Sequence, residues 1–286
     1  MTRPLRPALI QDAFLTACYG ELMALKPGNV HIHSAGHGME IDHFRRAAAA
    51  AAPFIADPAL TIGKRILRAT EASFAETGLN TNLGIVLLCA PLAKAAAQAD
   101  AGMGLRRCLA ILLGALTQDD ANDAFAAIRI ANPAGLGKVD DGDVSAGQPR
   151  MTLSEAMYMA KDRDRIANAY VTAFEDIFDF ALPALAEARQ LAARDDLAIS
   201  TLHMALMAEF PDSHISRKFG HDAALAVRDE ALSLKPAWSP VVTVKSLNTL
   251  AEFDASLKSR GLNPGTTADF VVATLFAALL SRRKLA

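Results

Sequence analysis

Apolar residues recur at helical spacing along almost the whole chain, and this pattern limits the fold more than any other feature of the sequence. Ile10, Phe14 and Cys18 are spaced four residues apart, as are Leu206 and Phe210 later in the chain. Such spacing places apolar side chains on one face of an α-helix. Alanine and leucine, both strong helix formers, supply most of the apolar residues. We therefore predict an all-α fold, arranged as a single compact domain of about a dozen helices over residues 1–286.

The same pattern gives approximate bounds for the helices. Thr152 and Glu155 have the spacing of a capping box, which supports a helix start at that point. Val241–Val244 is the only short β-like run, and it is too short to found a sheet. We expect helices near residues 8–24, 41–56, 61–77, 82–99, 104–117, 119–131, 152–161, 221–234, 245–260 and 266–281, with further helical stripes over 166–181 and 199–210.

Composition argues against several classes of protein. The formal net charge of −2 leaves no basic excess to neutralise a nucleic-acid backbone. Apolar runs such as Leu83–Ala93 are shorter than the roughly 20 residues that span a bilayer, and the N-terminal segment lacks the apolar core of a signal peptide. We expect a cytoplasmic protein without membrane or nucleic-acid partners, in which Cys18, Cys89 and Cys108 are buried free thiols. Its Ala-rich helix faces would pack a homodimer as readily as a core.

Four loops rich in Gly, Asn, Pro or Thr precede or separate the predicted helices. They cover residues 26–29, 78–84, 132–138 and 263–267. Backbone N–H groups in such loops, together with the partial positive charge of a helix N-terminus, favour anions. For each loop alone, an ordinary cap or turn is the favoured explanation, and none is a Walker A or dinucleotide motif. Four in one chain, two of them carrying lysine, favour phosphate binding.

Two carboxylates fall on apolar helical faces, where burial is costly unless the charge is paired, hydrogen-bonded or metal-bound. Glu21 lies seven residues after Phe14, in the last turn of its predicted helix, where the helix dipole disfavours negative charge. Asp269 shares a face with Phe276, but with Thr266 as N-cap it is also explained as a first-turn carboxylate that complements the dipole. Glu21 is therefore the stronger functional candidate.

The histidines have competing interpretations. His31, His33, His37 and His43 lie within thirteen residues. Their spacing matches no standard zinc motif, so contact with solvent or substrate is favoured over a metal site. His203 falls on the apolar face of its helix, which favours a hydrogen-bonded core histidine over a catalyst.

Two further polar segments are open to either a functional or a structural interpretation. The acidic run 140–143 would hold Mg²⁺ with substrate phosphates or form a solvated turn, and the second is favoured. Arg217 and Lys218 follow Asp212 closely, and they would either clamp a phosphate or cap the preceding helix.

Five short segments, taken in chain order, resemble the triphosphoribosyl-dephospho-CoA synthase family. The resemblance spans most of the chain and implies transfer of the 5-triphosphoribosyl group of ATP to dephospho-CoA, with release of adenine. The segments are Glu21 with Lys26-Pro27-Gly28 and Val30, Asp42 with Phe44, Gly78 with Asn80-Thr81 and Gly84, Leu206-Met207-Ala208 with Asp212 and Arg217, and Pro264-Gly265 with Ala268-Asp269.

The chain departs from the family pattern at two of these segments. Family members typically have Asn-Thr-His-Lys-Gly where this chain has Asn80-Thr81-Asn82-Leu83-Gly84, so a basic residue is lost. Thr266-Thr267 stands where Gly-Ser is usual. The segment 131–137 is similar to a divergent branch found in archaea and in bacteria with tetrahydromethanopterin-linked metabolism. Two alternatives therefore stay open: a phosphoribosyl-type transferase in tetrahydromethanopterin- or methanofuran-type cofactor biosynthesis, and a non-catalytic helical module that binds a nucleotide or a protein.

Displacement of a base at an anomeric carbon passes through an oxocarbenium-like state, which calls for a carboxylate and for groups that hold phosphate. We assign catalytic roles to Glu21, Asp269, Asp42 and Asp212. Mg²⁺ is the expected cofactor, with Glu21 and Asp269 as candidate ligands, and ATP is the expected substrate. The residues expected to contact phosphate or substrate are Lys26, Gly28, Asn29, Asn80, Thr81, Asn82, Gly84, Arg217, Lys218, Thr266 and Thr267.

Overall fold

The structure of the chain, a computed structural model, is all-α, as predicted. It describes residues 4–36, 38–99, 103–132 and 149–283. Within these ranges the only β-type pairings are two isolated bridges, His31 with Ser34 and Gly36 with Met39. Val241–Val244 forms no strand.

The helix bounds agree closely with the expected ones over most of the chain. The Thr152 cap is confirmed, since its hydroxyl accepts from Glu155 N while the Glu155 carboxylate accepts from Thr152 N at 2.8 Å. A π-helix covers Asp176–Ala181 and a 3-10 turn covers Val244–Ser246. The α-helices are α1 (Pro7–Met23), α2 (Ile41–Ala56), α3 (Ile62–Thr77), α4 (Leu83–Gln98), α5 (Leu105–Gly114), α6 (Gln118–Ala131), α7 (Leu153–Ala160), α8 (Arg165–Val171), α9 (Leu182–Leu191), α10 (Asp195–Glu209), α11 (Ser213–Phe219), α12 (His221–Ser233), α13 (Lys235–Trp238), α14 (Leu247–Ser259) and α15 (Gly265–Arg283).

The chain divides into two compact units, and the assignment of a single domain stays a prediction. The first unit comprises the described parts of Met1–Ala17, His43–Glu175 and Leu275–Ala286. Its α4 is buried along nearly its whole length. Helices α3 and α6 approach so closely that a Cβ on Gly63 would lie 2.4 Å from the Cα of Asp120. Any side chain at position 63 would clash with α6, so this contact requires glycine. Gly63 N also donates to the Asp120 carboxylate at 2.8 Å.

The second unit comprises the described parts of Cys18–Asp42 and Asp176–Thr274. Its α10 is buried along most of its length. Met204 and Met207 of this helix belong to an apolar cluster with Trp238 of α13 and with Leu250 and Leu257 of α14. The second unit holds most of the residues to which the sequence assigns chemistry.

The predicted stripe over 166–181 is not one helix. Ala173 and Phe174 have positive φ values of 49° and 60°. Because helical backbone requires a negative φ, these two residues separate α8 from the π-helix. Asp212 follows α10 and is the N-cap residue of α11. No helix of the described residues combines the length and apolar character needed to cross a membrane. Cys18, Cys89 and Cys108 are buried free thiols, as expected.

Candidate active site

The loop after α1 is a tight turn whose shape follows from its sequence. Lys26 O accepts from Asn29 N at 3.0 Å, with Pro27 and Gly28 between them. Gly28 has φ +81°. Proline at the second position and a positive φ at the third define a type II turn. Gly28 N donates to the Asp254 carboxylate of α14 at 2.8 Å, which anchors the turn.

Glu21 and Lys26 form a buried ion pair at the end of α1. Glu21 is 4% exposed and Lys26 is fully buried. Lys26 Nζ donates to Glu21 Oε1, to Asn29 Oδ1 at 3.1 Å and to the Val30 carbonyl at 2.8 Å. All three ammonium protons therefore have protein acceptors. The predicted burial of Glu21 is confirmed. A phosphate contact by Lys26 would require that one of these acceptors be replaced, so the geometry favours Lys26 as the residue that holds Glu21.

Burial and pairing act in opposite directions on this ion pair. Burial raises the pKa of Glu21, and the Lys26 charge and hydrogen bond oppose that rise. Burial lowers the pKa of Lys26, which Glu21 and, less strongly, Asp269 oppose. Each charge thus depends on the other, because neither side chain has solvent to stabilise it.

Gly28→Ala is expected to destabilise the protein by about 2–4 kcal/mol, because it combines a strained φ with a steric clash. A Cβ on Gly28 would lie 2.6 Å from Pro264 Cδ. Gly78, with φ +67° and nothing within 4 Å of its Cβ position, is the matched control. Gly78→Ala should cost about 1 kcal/mol, the strain alone. Urea unfolding of both variants measures the difference, and equal losses would contradict the close approach at Gly28.

Asp254 is a part of this site that the sequence interpretation missed. Besides Gly28 N, its carboxylate accepts from Lys258 Nζ at 3.0 Å and lies 3.3 Å from His31 Nε2. Burial alone raises the pKa of Asp254, but the nearby His31 ring and the hydrogen bond from Lys258 outweigh it and leave the pKa below its ordinary value. The signal was present in the sequence, since Asp254 lies on the apolar face between Leu250 and Leu257.

Asp212 joins two of the segments that carry the family resemblance. One oxygen accepts from the backbone N–H groups of His214 and Ile215 at 2.8 and 3.0 Å, which caps α11. The other accepts from the N–H and the hydroxyl of Thr267, both at 2.8 Å, in the first turn of α15. With four donors on a buried carboxylate, Asp212 positions the start of α15.

His203 is fully buried on α10, as the sequence predicted, but only one of its ring nitrogens is bonded. Nε2 lies 3.3 Å from the Pro27 carbonyl and donates to it. Nδ1 is enclosed and has no hydrogen-bond partner among the described residues, so only Nε2 fits the expected hydrogen-bonded core histidine. Burial, reinforced by the Lys26 charge, lowers the pKa of His203 to about 3.

His203 should make the protein less stable as the pH falls from 7 to 5. In that range the unfolded chain binds a proton at His203, with an ordinary pKa near 6.5, while the folded chain does not. The free energy of unfolding should therefore fall by about 2 kcal/mol from this residue. His203→Gln should lose that part of the pH response in urea unfolding at the two pH values. His221→Gln, at an exposed position of α12, should keep the wild-type response; an unchanged response in His203→Gln would refute the assignment.

The remaining candidates of the second unit lie in varied surroundings. Asp269 is half-buried and sits beyond the first turn of α15, because that helix begins at Gly265 and not at Thr266 as expected. Thr266 is buried, and Asp42 is exposed in the first turn of α2. In the last turn of α11, Arg217 is half-buried and Lys218 is exposed, with Nζ 5.1 Å from the centre of the Phe219 ring.

In the first unit, the segment from Asn80 to Gly84 leads into α4, which begins at Leu83. Asn80 is exposed, Thr81 and Asn82 are buried, and Gly84 is half-buried. Asn82 Nδ2 donates to Ser73 Oγ at 2.9 Å. His37, the acidic run 140–143 and the loop 133–138 lie outside the described residues. No group of three or more His, Cys, Asp or Glu side chains that could hold a metal occurs within the described ranges.

Comparison with known proteins agrees with the sequence motifs. The family model for ATP:dephospho-CoA triphosphoribosyl transferase matches residues 7–286. A 2-(5''-triphosphoribosyl)-3'-dephosphocoenzyme-A synthase of Pectobacterium atrosepticum is 27% identical over 123 residues, which cover 43% of this chain and 39% of the relative. A probable synthase of the same name from Pectobacterium carotovorum subsp. carotovorum has the same identity and coverage. The match thus spans about two fifths of these curated relatives. No solved structure matches the chain.

Proposed function

Because the chain belongs to the ATP:dephospho-CoA triphosphoribosyl transferase family, we propose that it transfers the 5-triphosphoribosyl group of ATP to dephospho-CoA and releases adenine. The family match over residues 7–286 carries the proposal. The names of the relatives agree with it, and neither they nor the family description supports the pterin-type transferase or the non-catalytic module.

The reaction exchanges one bond at the anomeric carbon of the ATP ribose. A hydroxyl oxygen of the acceptor forms the new bond to that carbon, while the bond to the adenine ring nitrogen breaks and adenine leaves with its electron pair. The acceptor hydroxyl loses a proton, and the departing adenine gains one. A carboxylate near the ribose assists by accepting the hydroxyl proton and by stabilising the positive charge that develops in the transition state.

We assign the central carboxylate role to Glu21. Its burial removes competing water, and its raised pKa makes it a better proton acceptor than an exposed glutamate. Lys26 holds one oxygen of Glu21 in place. Asp269 and Asp42 are proposed as further carboxylates of the reaction. Asp212, whose two oxygens already accept four hydrogen bonds, is proposed as a positioning residue.

Phosphate contacts are proposed for the turn around Gly28 and Asn29, for the start of α15 at Thr266 and Thr267, and for the cations Arg217 and Lys218. Mg²⁺ is proposed to accompany the ATP phosphates, since magnesium is commonly bound by one or two carboxylates together with substrate phosphates. Asp269 is a donor of that kind, whereas the Glu21 oxygen that does not accept from Lys26 is assigned to the acceptor proton. A cytoplasmic location is proposed because ATP is a cytoplasmic metabolite.

The direct test is adenine release. Purified protein is incubated with ATP, Mg²⁺ and dephospho-CoA, and free adenine and the triphosphoribosyl adduct are followed by chromatography with mass detection. The proposal predicts that both products appear in equal amounts and only when both substrates are present. Adenine without the adduct would indicate hydrolysis. Absence of both products, from a protein whose melting temperature ATP raises, would contradict the proposed reaction and favour another acceptor, another donor or a non-catalytic nucleotide-binding role.

A further inference from the structure

The first turn of α4 lacks the side-chain cap that its sequence would supply. Asn82 stands at the N-cap position, where asparagine is among the preferred residues. Its side chain makes no capping hydrogen bond, because its Nδ2 donates to Ser73 Oγ at 2.9 Å. Leu83 N has only a long contact of 3.4 Å to Asn80 Oδ1. The first turn also contains no acidic residue, so the partial positive charge of the helix is uncompensated.

Three hydrogen-bond donors at this helix start have no acceptor among the described residues. The first regular bond of the helix runs from Val86 N to Asn82 O at 2.9 Å. Gly84 and Ile85 come before Val86 in the chain, and their N–H groups donate to no acceptor within the described ranges. Thr81, only 7% exposed, has a buried hydroxyl with no partner within the same ranges. A buried hydroxyl without a partner costs free energy, which a ligand at this position would recover.

The surrounding sequence specifies what kind of ligand fits. No charged side chain occurs between Gly78 and Ala93. Recognition here rests on N–H and O–H donors and on the helix dipole, which together favour an anion rich in acceptor oxygens. A phosphate group meets this description, whereas a cation or an uncharged base does not.

We propose that the N-terminus of α4 binds a phosphate group through the backbone N–H groups of Gly84 and Ile85 and the hydroxyl of Thr81, without a basic side chain from its own loop. The inference rests on the proposed function only for the source of that phosphate, which is either the triphosphate of ATP or the diphosphate of dephospho-CoA. Inorganic tripolyphosphate carries the phosphate groups that both sources share, so its binding tests the site whether or not the protein catalyses the proposed reaction.

The first test is the affinity for tripolyphosphate, measured by calorimetry with Mg²⁺ present throughout. Thr81→Val keeps the branched shape of the side chain but removes the donor, and it should weaken binding by about tenfold or more. Thr81→Ser keeps the hydroxyl and should bind within about twofold of wild type. Equal affinities of the valine and serine variants, or no binding by the wild type, would overturn the proposal.

A second variant keeps the proposal testable if Thr81→Val fails to fold. Asn80→Asp is nearly isosteric and exposed, and it adds a negative charge at the start of α4. It should raise the melting temperature of the free protein, because it complements the helix dipole, and should weaken tripolyphosphate binding by about fivefold through repulsion. Asn248→Asp adds the same charge in the first turn of α14, also at an exposed position. It should leave tripolyphosphate affinity unchanged, and a similar loss of affinity in both variants would refute a local site.

Steady-state kinetics separates the source of the phosphate from the failure of the proposed function. A rise in KM for ATP alone in Thr81→Val assigns the triphosphate, and a rise for dephospho-CoA alone assigns the diphosphate. If no adenine is released but tripolyphosphate binding still depends on Thr81 and Asn80, the phosphate site is supported and the proposed reaction is contradicted. If adenine is released with unchanged KM values in both variants, the reaction stands and the site is wrong.

Discussion

Glu21→Gln is expected to lower the rate of adenine release by about 10³-fold, with KM for ATP changed little. Glutamine has nearly the same shape as glutamate but cannot accept the acceptor proton or stabilise positive charge as a carboxylate does. General acid–base groups typically contribute 10²–10⁴-fold to a rate, which sets the expected size. The loss should appear in kcat, because Glu21 acts on the transition state and not on the bound triphosphate.

The interpretation of this variant depends on its fold, since Glu21 is the buried partner of Lys26. The amide oxygen of glutamine still accepts from Lys26, so part of the pair's geometry should survive. A thermal shift by ATP that matches the wild-type shift would show that the variant is folded and binds substrate. The matched control is Glu230, whose carboxylate pairs with Arg260 at 2.6 Å but is 38% exposed. Glu230→Gln should keep the wild-type rate, whereas full turnover by Glu21→Gln would remove Glu21 from the mechanism.

The helices were predictable because each depends on signals that are local in sequence. The four-residue apolar spacing through Ile10, Phe14 and Cys18 gave α1, and the spacing of Thr152 and Glu155 gave the start of α7. The break at Phe174 was not predictable in this way. Its apolar spacing continues through the break, and only the packed protein forces a positive φ on a buried phenylalanine.

The part of the candidate site that could be predicted is the burial of its side chains, because the position of a residue around the helix axis indicates whether its side chain is buried. The position of Glu21 on the apolar stripe correctly indicated a buried carboxylate. The partners of that carboxylate depend on the turn that follows α1 and on contacts across the second unit, neither of which spacing reveals. Sequence interpretation therefore assigned Lys26 to phosphate without seeing that its three donors are directed to Glu21, Asn29 and Val30. Asp254, more than two hundred residues from the turn it anchors, was missed for the same reason.

Lys26→Met is expected to destabilise the protein by about 3–5 kcal/mol, because it leaves the Glu21 charge buried without a partner. Methionine fills nearly the same volume as the lysine stem, so cavity formation contributes little. The double variant Glu21→Gln/Lys26→Met has no buried charge left at this position. It should recover much of the lost stability while remaining inactive. Urea unfolding of the two single variants, the double variant and the wild type gives the coupling energy.

The exposed pair Glu230–Arg260 provides the control cycle, and its coupling should be about 0–1 kcal/mol. The pH response adds a second criterion. Burial raises the folded-state pKa of Glu21, and the loss of Lys26 raises it further. A carboxyl group whose pKa is raised in the folded state stabilises the fold at pH values below its pKa in the unfolded chain. That stabilisation is lost as the pH rises through the pKa in the folded state. The stability deficit of Lys26→Met relative to wild type should therefore shrink as the pH is lowered from 7 toward 5. A deficit that stays constant over this range, or a coupling no larger than that of Glu230–Arg260, would show that Lys26 contributes packing and does not hold the charge of Glu21.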